Sequence, residues 1–176
     1  LPSHADWLAL LQLGGFPEPF FAGSEKKARR WTRAARAQTL ADLAGLERID
    51  DLGRFERLML RLPELVGSPL SLNRLRHELG VSHKTIARWI GTLERVHAVF
   101  WLRPYGQPPL RAVHKEQKLY GSDWSLVADP AARFENLVAA HLLKWVQLLG
   151  DSDGPALELR YFRDIDGREV DFVVLE

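Results

Sequence analysis

Three carboxylates in the last third of the chain have the types and spacing to do chemistry together. Glu135 lies in a helical pattern, while Glu169 and Asp171 lie in the strand-like run "EVDFVVLE". Side chains alternate across a strand, so Glu169 and Asp171 share one face, opposite Val170 and Phe172. Carboxylate oxygens converging on a hard cation such as Mg²⁺ activate water and steady phosphate charge, which a metal-dependent nuclease requires. Glu135 borders its helix's apolar stripe, where a carboxylate is normally avoided. A solvated acidic hairpin would show the same three residues, and the pattern lacks the lysine that would complete it.

A second set is basic. In "SLNRLRHELGVSHKTIARWIGTLER", from Ser71 to Arg95, the residues His83, Lys84, Thr85 and Arg88 stand near the start of a helix. A recognition helix presents its donors to base edges and phosphates from that end. Three phosphate contacts would give a salt slope near −3, so affinity would fall roughly 40-fold between 50 and 200 mM salt. The alternative is packing, with the wing docked on a neighbouring domain and Trp89, Trp101 and Trp124 as its core. A third stretch, "GGFPEP", holds two glycines and a proline after a helix and by itself reads as a turn. The six histidines show no metal-ligand spacing on one element and read as surface or helix-end residues. There is no G-x-x-x-x-G-K-[ST], no G-x-S-x-G elbow and no cysteine.

The elements that position these residues follow from caps and periodicity. Ser3 and Asp6 form a capping box for a helix through Leu13, stopped by Gly14 and Gly15. After the loop "GGFPEPFFAG", Ser24 caps a longer helix to about Gly45, with Lys27, Arg30 and Arg33 on one face. A helix from about Leu52 to Leu62 aligns Phe55, Leu58, Met59 and Leu62, and Pro63 ends it. Ser71 opens the next helix, which carries Leu72, Leu75 and Leu79, and Gly80 supplies the left-handed turn residue. Ser82 caps a helix whose Ile86, Trp89, Ile90 and Leu93 must face inward, opposite Lys84, Arg88 and Gly91. "AVFWLR" and "KEQKLYG" read as strands around the loop "PYGQPP", completing a winged helix-turn-helix. Asp129 and Pro130 start a helix to about Leu149, with Phe134, Leu137, Val138, Leu142 and Trp145 on its apolar side. "LELRYFR" and "EVDFVVLE" form a hairpin about Asp166-Gly167.

Composition bounds the class. The chain has 176 residues, is 46% hydrophobic and carries a formal net charge of +1. Disorder is excluded by the apolar fraction, and whole-chain charge argues neither for nor against nucleic acid. A basic run (Lys26, Lys27, Arg29, Arg30, Arg33, Arg36) contrasts with an acidic tail. The absence of cysteine fits a reducing, cytoplasmic setting, and no apolar run is long enough to span a bilayer. Beginning on Leu1 and stopping inside a strand pattern, the chain reads as a fragment.

The order "GGFPEPF", a Trp- and Arg-rich helix leading to "TLADLAGLERIDDL", the helix-turn-helix through "FWLRPY", "KEQKLYGSD", "RFENLVAAHLL" and "YFRDIDGREVDFVV" resembles one family along nearly the whole chain. That family is the C-terminal half of prokaryotic AAA-type ATPases, whose C-terminal domain of unknown function is similar in fold to PD-(D/E)XK nucleases. The resemblance implies an α+β architecture in three parts: a helical lid (1–66), a winged helix-turn-helix (67–125) and the front of a nuclease-like domain (126–176). It implies that Gly15 and Pro17, in a G-x-P element, contact adenine in the parent protein. It also makes Glu135 and Asp171 candidate metal ligands, and leaves Lys84, Thr85 and Arg88 to contact double-stranded DNA. The phosphate-binding loop and the Glu-x-Lys strand of the family pattern are missing here. The fragment is therefore expected to be non-catalytic and to hold no cofactor itself, with ATP, Mg²⁺ and an upstream ATPase core belonging to the parent. A winged-helix transcriptional regulator and a protein-docking module without nucleic acid are the alternatives.

Overall fold

Ser3 opens α1 (His4–Leu13) with the expected capping box, its hydroxyl accepting from the Asp6 N–H while the Asp6 carboxylate accepts from the Ser3 N–H. The computed structural model describes residues 2–46, 49, 51–106, 117–152 and 154–176. "GGFPEPFFAG" is not all loop. Pro17 occupies the first turn of a short helix, α2 (Pro17–Ala22), because its fixed φ suits that position and its missing N–H has no partner to lose there. Then come α3 (Glu25–Leu46) and α4 (Leu52–Arg61), which meet each other. Phe55 and Leu58 of α4 are fully buried. Pro63 ends α4 but continues the chain into a 3₁₀ turn (Leu62–Leu65), whose geometry tolerates it.

Contacts divide the chain into two units, Leu1–Glu64 with Asp123–Phe134, and Leu65–Ser122 with Glu135–Glu176. In the first unit, Trp124 lies in a 3₁₀ turn (Trp124–Leu126) and its indole N–H donates to the Leu10 carbonyl at 2.9 Å. This departs from the sequence expectation that Trp124 belongs to the wing's core.

In the second unit, Ser71 caps α5 (Leu72–Leu79) and Ser82 caps α6 (His83–Arg95), each through the N–H three residues on. Gly80 makes the turn between them at φ 65°, where a Cβ would be strained. Ile86, Trp89, Ile90 and Leu93 are at most 3% exposed. Burying four such side chains contributes roughly 6–12 kcal/mol gross, before conformational entropy is charged against it.

Strand β1 (Val99–Pro104) pairs antiparallel with β2 (Lys118–Gly121), with Val99 opposite Gly121 and Leu102 opposite Lys118. The rest of the loop "PYGQPP", Lys115 and Glu116 of "KEQKLYG", and His114 lie outside the described residues. After α7 (Pro130–Asp151) come β3 (Glu158–Arg163) and β4 (Glu169–Leu175), an antiparallel hairpin with a register shift between Arg160 and Phe162. Its tight turn centres on Ile165-Asp166, with Gly167 following at φ 82°. The expected pair was Asp166-Gly167. The Asp164 carboxylate shifts the turn by accepting from the N–H groups of Asp166 and Arg168. The end of β1 also pairs in parallel with β3, so the sheet order is β2-β1-β3-β4 and the fold is α+β.

Helix α7 buries a different face from the one its sequence indicates. Asn136, Leu137, Ala139 and Val146 are buried, whereas Phe134 and Trp145 are about half exposed. The expected and buried faces share Leu137, and the rotation between them turns Asn136 inward and Phe134 and Trp145 outward. The choice follows a polar contact, in which the Asn136 amide brackets Gly121 of β2, accepting from its N–H at 2.8 Å and donating to its C=O at 2.6 Å.

Candidate functional site

The basic ridge of α6 stands as expected. His83, Lys84 and Arg88 are exposed above the buried Ile86, Trp89 and Ile90. Thr85 is half-buried, and its hydroxyl lies 2.8 Å from that of Ser82, so it serves the helix cap as well as facing outward. The five described histidines (His4, His77, His83, His97, His141) are exposed. Pro17 is exposed at the start of α2. Gly15 has a packing reason to be glycine, since a Cβ there would stand 2.5 Å from the Trp124 ring.

The carboxylates converge on a residue that sequence reasoning missed. Lys118 of β2 is 2% exposed, and its ammonium donates to Asp171 Oδ1 at 3.1 Å. It also pairs with the Glu169 carboxylate and stands 3.7 Å from Glu135 Oε1. The Tyr161 ring lies under it, 5.2 Å from Nζ to centroid, a favourable seat for a desolvated cation. The Tyr120 hydroxyl donates to Glu135 Oε1 at 2.6 Å. Gly67, at φ 76°, leaves room for the Glu135 carboxylate, because a Cβ there would stand 2.9 Å from both of its oxygens. On the outer side, Arg163 comes within 3.7 Å of Glu169.

The electrostatics follow from this geometry. Burial by itself would lower the Lys118 pKa, but its hydrogen bonds to Glu169 and Asp171, with the charges of Glu169 and Glu135, outweigh that and hold it above the ordinary lysine value. Tyr120 is pushed far up, first by burial and then by its bond to Glu135 and the surrounding negative charge, so it remains a phenol. Lysine is charged and tyrosine neutral across the physiological range.

Glu135 and Asp171 are thus brought together, as the sequence suggested, but around an ammonium. The Lys118 ammonium stands at the point where their oxygens converge, and it supplies from β2 the lysine that the carboxylate pattern lacked in the sequence. Among the described residues, no group of three or more His, Asp or Glu is arranged to hold a metal. The signal that would have identified Lys118 is its position two residues from Tyr120 in an apolar strand. Period two places both on one face, where a charged residue must find partners. A separate cavity of about 470 Å³, lined by Trp101, Arg103, Gln117, Val146 and Arg160 among others, includes none of these carboxylates.

Fold and site together define an α+β protein with one basic-faced helix, α6, and a lysine-centred acidic cluster. Residues 4–136 match the Domain of unknown function (DUF8612), and the chain belongs to that family. Lys118, Tyr120 and Glu135 lie inside the matched stretch, and Glu169 and Asp171 lie beyond it. No curated protein and no solved structure matches the chain. No helix among the described residues is long and apolar enough to cross a membrane.

Proposed function

We propose that this chain is a nucleic-acid-facing, regulatory winged helix-turn-helix module of a cytoplasmic AAA-type ATPase, without catalysis of its own. The observation that carries the reading is α6, whose N-terminal half exposes His83, Lys84 and Arg88 over side chains that are at most 3% exposed. Cations rigidly displayed near a helix N-terminus suit phosphate contact. ATP turnover elsewhere in the parent protein then moves the module between two arrangements, with Gly15 and Pro17 near the adenine.

One observation favours a second reading, docking on protein. Strand β1 of the wing is engaged on both edges, by β2 and by β3, so the wing belongs to a larger sheet and is not a free hairpin. Titration of a fluorescent duplex separates the two. The Lys84→Ala/Arg88→Ala double variant binds at least about tenfold more weakly than the parent, ~1.4 kcal/mol. Lys84→Ala alone, at an exposed position, keeps its stability within about 0.5 kcal/mol and shows the same direction of change in binding. Equal binding by parent and variant, or none by either, leaves docking as the role of this face.

A further inference from the structure

The lysine in the acidic cluster goes beyond the reading above and does not depend on it. We infer that the Lys118 ammonium is the resident cation of the Glu135, Glu169 and Asp171 pocket, held where a divalent metal would otherwise sit, so that the native chain excludes Mg²⁺ and Mn²⁺ there.

The valences match. A lysine ammonium has three donors and no acceptor. Three carboxylates surround it, one from α7 and two from β4. An entering metal would need these same oxygens at about 2.0–2.1 Å in near-octahedral array, and would be repelled by the charge already present. The ammonium cannot step aside easily. Its side chain is 2% exposed, and its strand is fixed on both edges. On one edge Lys118 pairs with Leu102 of β1, and on the other it bridges to Pro69, with Gly67 N–H and Leu70 N–H donating to the Leu119 and Gln117 carbonyls.

A lysine is charged throughout the physiological range even at its ordinary value. One ammonium against three carboxylates still leaves negative charge, which Arg163 offsets only from the exposed rim. Removing the ammonium while keeping its bulk therefore leaves three part-exposed carboxylates crowded together without the cation between them, open to another cation.

The experiment uses the full chain and Lys118→Met, with Mn²⁺ as the probe. The parent shows no saturable Mn²⁺ binding by electron paramagnetic resonance, and its melting temperature is indifferent to millimolar Mn²⁺ or Mg²⁺. Without metal, Lys118→Met melts roughly 3–12 °C lower than the parent, the range expected when charge-assisted hydrogen bonds to part-exposed carboxylates are lost. Millimolar Mn²⁺ restores at least about half of that loss by mass action, and adding Asp171→Asn abolishes the restoration. Two results overturn the inference. One is saturable Mn²⁺ binding by the parent that Asp171→Asn removes, and the other is a folded Lys118→Met protein with no response to metal. If Lys118→Met does not fold with or without Mn²⁺, the parent titration decides, with no saturable binding upholding the inference.

Discussion

Asn136→Ala is expected to lower the stability of the second unit by about 2–6 kcal/mol. The native amide is fully buried and serves both polar groups of the Gly121 peptide unit, at 2.8 and 2.6 Å. Alanine leaves one N–H and one C=O without partners inside the protein, each costing about 1–3 kcal/mol. It also frees α7 from the edge of β2, and with it the neighbouring Glu135 that the Lys118 cluster uses. Asn136→Asp does not rescue the loss, because a second carboxylate oxygen would face the Gly121 carbonyl where a donor is needed. Urea denaturation should show a lower midpoint with an unchanged slope. A change below about 0.5 kcal/mol would mean that the amide only decorates the helix.

A second large effect is alkaline. The sign follows from the unfolded chain, in which Lys118 loses its proton near pH 10.4 and Tyr120 near pH 10. Both folded values are higher, for lysine because of its carboxylate partners and for tyrosine because of burial beside Glu135. Their contributions are complete below the unfolded values and are lost as pH rises toward the folded ones. Each group that keeps its proton only in the fold tilts stability downward by about 1.4 kcal/mol per pH unit. Tyr120→Phe removes one such group. Its stability near pH 8 drops by about 1 kcal/mol, from the lost bond to Glu135. Its alkaline limb becomes shallower by about 1.4 kcal/mol per unit. Urea titrations between about pH 8 and pH 11 measure both quantities, and parallel limbs for parent and variant would contradict the account.

Features set by near neighbours in the chain were legible in the sequence. The caps at Ser3, Ser71, Ser82 and Asp129 all form, each bonding the N–H three residues on. The inward stripe of α6 and both antiparallel pairings also follow from short-range periodicity and turn residues. Features set by distant partners were hidden. The Lys118–Asp171 pair spans 53 positions, and a lysine in a strand ordinarily reads as solvated. The face of α7 was misassigned because Asn136, a polar residue, is what docks it. The helix at Pro17–Ala22 escaped notice because six residues with two prolines give too little pattern to weigh. Within the carboxylate set, Glu169 and Asp171 were placed on one strand face by alternation. The ammonium between them and Glu135 depends on how β2 is brought within reach of β4, which no local pattern records.

The exposed cations of α6 are the part of this scheme most directly open to measurement, through the salt dependence of duplex binding. A plot of log Kobs against log salt for the parent should have a slope between about −2 and −3, and Lys84→Ala should reduce its magnitude by about 1 with stability unchanged. A parent slope indistinguishable from zero, or one that Lys84→Ala leaves untouched, would contradict phosphate contact by this helix.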